Sequence, residues 1–287
     1  MKKEEGSKMA ILMNGKELRD KKIELLKEKV KRLDSPLGLV VISVGNDEAS
    51  KVYVKNKEKL ARTLGYHFIH ETLDYDVKEQ DLMNLVEFYN NQDSIDGIIV
   101  QMPLPGYMNA SKVQNSIDAL KDVDGLTFIN QGKILQNVSS IIPCTPKGII
   151  DLLEEYKIPI EGSRVAVIGR SMLVGKPISI LLTNKNASVS LLHSKTKNLK
   201  EYTKEADIIV SAVGKKSFLT SDMVKEGSVV IDVGITREQG KIYGDVDFDK
   251  VKELASYITP VPGGVGPMTV YELMENVYQA RILRRTK

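Results

Sequence analysis

The sequence predicts two α/β domains, the second built on a doubly wound parallel sheet. Two observations predict this. A chain of 287 residues is about two domains long at roughly 150 residues each. From residue 145 onward, four short apolar runs at 165–168, 187–192, 207–212 and 229–233 alternate with helical or turn segments. That is the rhythm of βαβ units.

The first half alternates in the same way. Residues 15–33 carry Leu18, Leu25, Leu26, Val30 and Leu33 among Lys and Glu, which predicts an amphipathic helix. Residues 39–44 form a continuous apolar run, as a buried parallel strand does. Residues 49–64 read as a helix, 67–73 as an alternating strand and 82–90 as a helix. The run 97–101 is a further buried strand, ended by Met102-Pro103-Leu104-Pro105-Gly106. Thr145-Pro146 reads as a helix start, with Thr as cap and Pro at the first helical position. Ile149, Ile150, Leu152, Leu153 and Tyr156 form that helix's apolar face. The last predicted helix, 270–283, aligns Val270, Leu273, Met274, Val277 and Tyr278. The expected domain boundary falls near residues 140–147.

Composition removes several function classes. A net charge of +3 with 28% charged residues is ordinary, so neither a polybasic nucleic-acid binder nor an acidic tail is expected. No apolar run approaches the roughly 18 residues of a membrane span. Residues 1–8 are charged and the apolar stretch 9–13 is short, so no signal peptide is expected. One cysteine and three histidines exclude an intrachain disulfide and a Cys/His zinc cluster. A cytoplasmic, metal-independent protein is the expectation.

Six segments carry candidate chemistry. Arg164–Ile168 leads into Gly169-Arg170-Ser171-Met172-Leu173-Val174-Gly175-Lys176-Pro177, a strand, tight turn and helix start that suit a pyrophosphate. The usual G-x-G-x-x-G spacing fails, because Ser171 replaces the second glycine and Val174 the third; the Walker pattern fails too. A plain strand-to-helix turn stays open. At the end of the next apolar run, where an NAD site usually places a carboxylate, stand His193-Ser194-Lys195-Thr196. A cation with hydroxyls suits the 2′-phosphate of NADP, with Arg170 as a second candidate; a solvated loop lysine is the alternative.

On the helix 49–64, Lys51, Lys55, Lys59 and Arg62 share one stripe at about 100° per residue, a solvated face. Lys57 projects instead with Ser50, Tyr53, Val54, Ala61 and Leu64. A lysine turned inward beside Tyr53, four residues away, is paired, retuned toward a base, or snorkelling. Gln101 stands at a strand's C-terminal end, where open α/β sheets bind ligands. Asp122 and Asp124 fall in an Asp-Val-Asp-Gly segment that turn chemistry alone explains. The run 259–269, Thr-Pro-Val-Pro-Gly-Gly-Val-Gly-Pro-Met-Thr, is too rich in Pro and Gly for a regular element, and such a stiff loop can lie against a flat ligand.

These blocks together, Ser50–Lys57, Val100–Pro105, Lys121–Leu126, Pro143–Pro146, Gly169–Ser171 with Val174-Gly175, and Pro260–Thr269, resemble the bifunctional methylenetetrahydrofolate dehydrogenase/methenyltetrahydrofolate cyclohydrolase family. They run in the family's order across nearly the whole chain. The resemblance implies two domains across a cleft, the second Rossmann-like. Residues 1–143, rejoined by a C-terminal helix at about 270–287, would bind folate and catalyse; residues 144–269 would bind NADP. It implies Lys57, Tyr53 and Gln101 as catalytic residues. Lys57 would transfer protons, Tyr53 would pack on the folate's aminobenzoyl ring, and Gln101 would bond the lysine and ligand. Asp124 would grip the pterin, with Pro262, Gly263 and Gly264 as further substrate contacts. Gly169, Arg170, Ser171, Val174, Gly175, Ser194, Lys195 and Ile235 would hold the cofactor. The family often has Arg where Lys195 stands; lysine keeps the charge without the two-pronged fork. A homodimer formed through the cofactor domain, acting on tetrahydrofolate derivatives, is also implied. The alternatives are a dehydrogenase lacking the cyclohydrolase and a non-catalytic nucleotide-binding module.

Overall fold

A computed structural model describes residues 9–285; the charged segment 1–8 lies outside them. In chain order the strands are β1 (Ile11–Leu12), β2 (Gly38–Val44), β3 (His67–Leu73), β4 (Gly97–Val100), β5 (Arg164–Ile168), β6 (Ser188–Leu192), β7 (Ile208–Ser211), β8 (Val229–Asp232), β9 (Thr236–Glu238), β10 (Lys241–Tyr243) and β11 (Tyr257–Ile258). The helices are α1 (Gly15–Lys31), α2 (Glu48–Thr63), α3 (Glu79–Asn90), α4 (Ala110–Gln114), α5 (Phe128–Leu135), α6 (Cys144–Glu155), α7 (Gly175–Asn184), α8 (Leu199–Lys204), α9 (Phe248–Val251) and α10 (Val265–Arg285).

The described chain divides into two compact units, one of residues 20–144 with 270–285, the other of residues 9–19 with 145–269. The division therefore falls inside α1, after the first residue of α6 and inside α10. The expectation placed everything before residue 144 in one domain. Residues 9–19 join the other unit because β1 pairs in parallel with β11, Ile11 against Tyr257 and Leu12 against Ile258. A two-residue strand carries no legible periodicity, so this pairing was hidden in the sequence.

The unit of residues 20–144 holds a parallel three-stranded sheet in the order β3-β2-β4. β2 and β4 are apolar on both faces, and Val40, Ile42, Ile98 and Val100 meet Leu82, Val86 and Tyr89 of α3 in one core. α10 was expected to be amphipathic. Residues 271–277 are instead buried all round, including Glu272 and Asn276, as befits a helix covered on every side. Leu25, expected on the apolar face of α1, is exposed, whereas Leu18 and Leu26 are buried.

The last turn of α3 ends on a buried cation. Lys121 Nζ donates to the carbonyls of Tyr89, Asn90 and Gln92 at 3.0, 2.6 and 2.7 Å, filling the need for donors that every helix C-terminus has. Lys121→Met keeps the apolar stem but strands these acceptors. Its expected cost is about 1–3 kcal/mol, read as a lower urea midpoint; an unchanged midpoint would refute the capping role.

The other unit holds a six-stranded parallel sheet in the order β1-β11-β8-β7-β5-β6. From β5 the chain crosses to β6 on one side and then to β7 on the other, which makes the gap between the ends of β5 and β7 a topological switch point. α6 starts at Cys144, so Thr145 lies in its first turn; its hydroxyl meets that of Thr269 at 2.9 Å instead of capping the helix.

Candidate functional site

The lysine that the helical spacing turns inward is half-buried, and it is paired. Lys57 Nζ donates to Gln101 Oε1 at 3.1 Å. Two features aim that amide. The backbone N–H of Gln101 donates to Ile42 O at 2.8 Å, continuing the β2–β4 ladder past the end of β4. The side-chain Nε2 donates to Met102 O at 2.9 Å, which leaves Oε1 facing the lysine. Ser50 Oγ donates to the same Met102 carbonyl at 3.4 Å; the sequence placed Ser50 on the lysine's face but assigned it no role. Val54, Ala61 and Leu64 on this side of α2 are buried, while Tyr53, one turn before Lys57, keeps 42% of its surface exposed. A flat apolar ring beside a polar pair is therefore open to a ligand.

The two carboxylates of the Asp-Val-Asp segment part company. Asp122 is fully buried and accepts from Thr127 N at 2.8 Å, Asn130 Nδ2 at 2.9 Å and Gln114 Nε2 at 3.2 Å. Burial pushes its carboxyl above the ordinary range. It is a structural anchor, as turn chemistry suggested. Asp124 is half-buried, and among the described residues the Cys144 thiol, 3.9 Å from Oδ1, is the one side-chain donor near it. Its lone pairs are left for another donor. Asn276 of α10 holds this segment by donating to Val123 O at 2.9 Å and Ile142 O at 2.8 Å. No sequence signal links residues so far apart.

The same unit has a larger concavity of about 940 Å³ at the opposite, N-terminal ends of its strands. Its cations are already committed: Lys121 to the carbonyls above, Arg281 and Arg284 to Asp96. The Lys57 side, with its open lone pairs and exposed ring, is the better site.

In the six-stranded unit the glycine turn is tightly packed. Gly169 has φ +112°, and a Cβ there would fall 2.3 Å from Ala212 O. A Cβ on Gly175 would fall 2.0 Å from Gly169 O. Ser171 Oγ accepts from the N–H groups of Val174 at 3.2 Å and Gly175 at 3.4 Å, opening α7. Where G-x-G-x-x-G has its second glycine, Ser171 instead uses its hydroxyl to cap the start of α7. Beyond β6, Thr196 Oγ1 accepts from His193 N at 2.9 Å and His193 Nδ1 accepts from Lys195 N at 3.2 Å. This small turn leaves Ser194 and Lys195 exposed. Arg170 and Lys195 make no ion pair within the described residues, so both charges are available to an anion. Ile235, 48% exposed, follows β8. Pro262, Gly263 and Gly264 lie on the loop after β11, where Lys16 N donates to Gly263 O at 3.1 Å. A Cβ on Gly15 would fall 1.8 Å from Gly264 O, so that approach requires glycine.

Two family models match the chain. Residues 13–124 match the catalytic domain of tetrahydrofolate dehydrogenase/cyclohydrolase, and residues 143–285 match the NAD(P)-binding domain of the same family. The bifunctional protein FolD of Streptococcus thermophilus is 48% identical over 96% of this chain and 98% of its own. The chain belongs to the tetrahydrofolate dehydrogenase/cyclohydrolase family. Its relative FolD from Clostridium novyi is also 48% identical, over 94% of this chain and 98% of its own. The crystal structure of the bifunctional FolD enzyme from Campylobacter jejuni superposes with TM-score 0.93 at 44% identity, covering 96% of this chain and 99% of that one. The Trypanosoma brucei FolD, solved with NADP and an inhibitor, gives TM-score 0.91 at 32% identity, covering 98% and 99%. Among the described residues, no helix is long and apolar enough to cross a membrane.

Proposed function

We propose that this chain oxidises 5,10-methylenetetrahydrofolate with NADP and hydrolyses the resulting 5,10-methenyltetrahydrofolate to 10-formyltetrahydrofolate. The observation that carries the reading is the Lys57–Gln101 pair, with Tyr53 one turn away on the same helix and Asp124 holding open lone pairs.

The dinucleotide site fits its ligand on this chain's own geometry. Gly169 and Gly175 leave no room for a Cβ, α7 begins at the turn, and Arg170 and Lys195 make no ion pair among the described residues. Ser171, Val174, Gly175, Ser194 and Ile235 complete the proposed contacts. When bound, NADP supplies a hydride acceptor. The methylene carbon lies between two nitrogens, so loss of hydride leaves a delocalised cation that needs little acid help. The protein's task in that step is to position the reacting rings.

Hydrolysis asks more of the side chains. Water adds to the cationic carbon and gives up one proton; the ring C–N bond then opens with a proton delivered to nitrogen, while the remaining hydroxyl proton leaves to solvent as the formyl C=O forms. Lys57 in its amine form accepts the first proton and returns one to the departing nitrogen. Gln101 suits this cycle because a neutral amide oxygen accepts from both amine and ammonium, whereas a carboxylate would hold the ammonium fixed. Asp124 accepts two hydrogen bonds from the pterin's N–H and amino group, and Tyr53 packs on the aminobenzoyl ring. Pro262, Gly263 and Gly264 are further substrate contacts. The reading extends to a cytoplasmic homodimer, supported by the family resemblance. Each half-reaction tests it separately: NADPH formation from the methylene substrate, and loss of methenyl absorbance with no cofactor added. Failure of either removes that half.

Cofactor choice rests on the turn after β6. A charged hydrogen bond from Lys195 to a 2′-phosphate is worth about 1.5–3 kcal/mol, or roughly tenfold to a hundredfold in affinity. NADP is therefore expected to be preferred over NAD, and Lys195→Ala to cut the preference by raising the KM for NADP. Equal use of both cofactors by the wild type would refute the assignment. An alanine variant with its preference intact would transfer the role to Arg170.

A further inference from the structure

Two carboxylates lie buried at the C-terminal edge of the six-stranded sheet, and nothing above uses them. Asp232, the last residue of β8, is 3% exposed; Asp245, just before α9, is 0% exposed. Neither makes an ion pair among the described residues. Each accepts three hydrogen bonds instead. Asp232 Oδ1 accepts from Gly234 N at 3.0 Å and Asp245 N at 2.9 Å, and its Oδ2 accepts from Val246 N at 3.0 Å. Asp245 Oδ2 accepts from Val213 N at 2.7 Å and Ser211 Oγ at 3.2 Å, and its Oδ1 accepts from Lys215 N at 2.8 Å. The two are interlocked. A Cβ on Gly244 would fall 1.9 Å from Asp232 Oδ2, and a Cβ on Gly234 would fall 1.9 Å from Asp245 Oδ1. Each carboxylate fills the space that a glycine leaves.

What they hold is informative. Asp245 fixes the segment after β7, residues 212–215. Gly169 presses on this segment, since its absent Cβ would meet Ala212 O at 2.3 Å. The glycine turn is thus backed, at the topological switch point, by a loop that Asp245 ties down. Asp232 fixes Gly234 and with it the turn that presents Ile235. Val213 and Ile235 stay 37% and 48% exposed: apolar side chains held out from the core by buried charge. Two buried carboxylates without a cation are costly. Burial, with the negative charge of Asp245 nearby, pushes the Asp232 carboxyl up to about 6 despite its backbone donors. A fold needing only stability would fill this space with apolar atoms; costly local arrangements of this kind concentrate at functional sites.

We propose that Asp232 and Asp245 form a brace that sets the loops 212–215 and 233–235 for dinucleotide binding, acting as positioning residues for the dehydrogenase step alone. The proposal rests on the function proposed above. It adds that Lys57 and Gln101, which carry the hydrolysis and lie in the other unit, do not depend on the brace.

The full-length protein supplies its own control, because hydrolysis of methenyltetrahydrofolate needs no dinucleotide. Asp245→Asn and Asp232→Asn each replace an acceptor oxygen by a donor that faces a backbone N–H. In each, calorimetric NADP affinity is expected to fall about tenfold to a hundredfold, with a matching rise in the KM for NADP. Cyclohydrolase turnover is expected to stay within about twofold, which a general loss of fold would not allow. Ser211→Ala removes one uncharged donor to Asp245 and serves if an Asn variant does not fold. It is expected to raise the KM for NADP several-fold with kcat and the cyclohydrolase unchanged. NADP affinity and KM within twofold of wild type in the folded variants would overturn the proposal, as would parallel loss of both activities in a folded variant. A wild type that binds no NADP would instead overturn the function on which the proposal rests.

Discussion

Lys57→Met is expected to lower hydrolysis of methenyltetrahydrofolate by about 10²–10⁴-fold, the usual worth of a positioned acid–base group, while the chain stays folded. Methionine keeps the length and the apolar stem, so the packing of α2 beside Val54 and Ala61 is retained. What goes is the proton carrier, together with its hydrogen bond to Gln101. Hydride transfer leaves a cation stabilised by its own nitrogens and has no need of that carrier. With NADP present, the variant is therefore expected to accumulate the methenyl compound. Stopped-flow absorbance with circular dichroism checks both halves. A folded variant that hydrolyses the methenyl substrate at the wild-type rate would remove Lys57 from the chemistry.

Asp124→Ala is expected to weaken folate binding by about 3–6 kcal/mol, the sum of two charge-assisted hydrogen bonds at roughly 1.5–3 kcal/mol each. That is about 10²–10⁴ in the dissociation constant. The cost to the fold is expected to be small, because Asp122, and not Asp124, anchors the turn through Thr127, Asn130 and Gln114. NADP affinity is expected to be unchanged. Calorimetry with each ligand in turn separates the cases, and weaker NADP binding beside unchanged folate binding would return Asp124 to a turn residue.

Most strands of the parallel sheets were legible because they are short, continuous and apolar, flanked by turn residues, and β3 was legible from its alternation. Lys57 was legible because helical geometry assigns every side chain a direction, and one lysine broke the stripe formed by the others. The two aspartates of the 122–124 turn were not separable by pattern. Their difference lies in Gln114 and Asn130, which fold around one carboxylate and not the other. Asn276, Asp232 and Asp245 were invisible for a related reason. A lone polar residue in an apolar helix or at a strand end announces nothing until distant backbone donors and acceptors meet it. The glycine turn was readable as a strand-to-helix turn, but not the cap that the Ser171 hydroxyl makes there, which depends on where Val174 and Gly175 direct their N–H groups. The pairing of β1 with β11 joins two-residue strands, too short for any alternation to register.

One chain carries both steps, and the fate of the methenyl intermediate decides whether it does. Wild-type protein is given methylenetetrahydrofolate and NADP, and methenyl absorbance is followed alongside NADPH and the formyl product. Formyl product is expected to keep pace with NADPH while the methenyl signal stays at a low steady level. Methenyl accumulating in step with NADPH would contradict it and leave a dehydrogenase alone; no NADPH at all would leave a nucleotide-binding module.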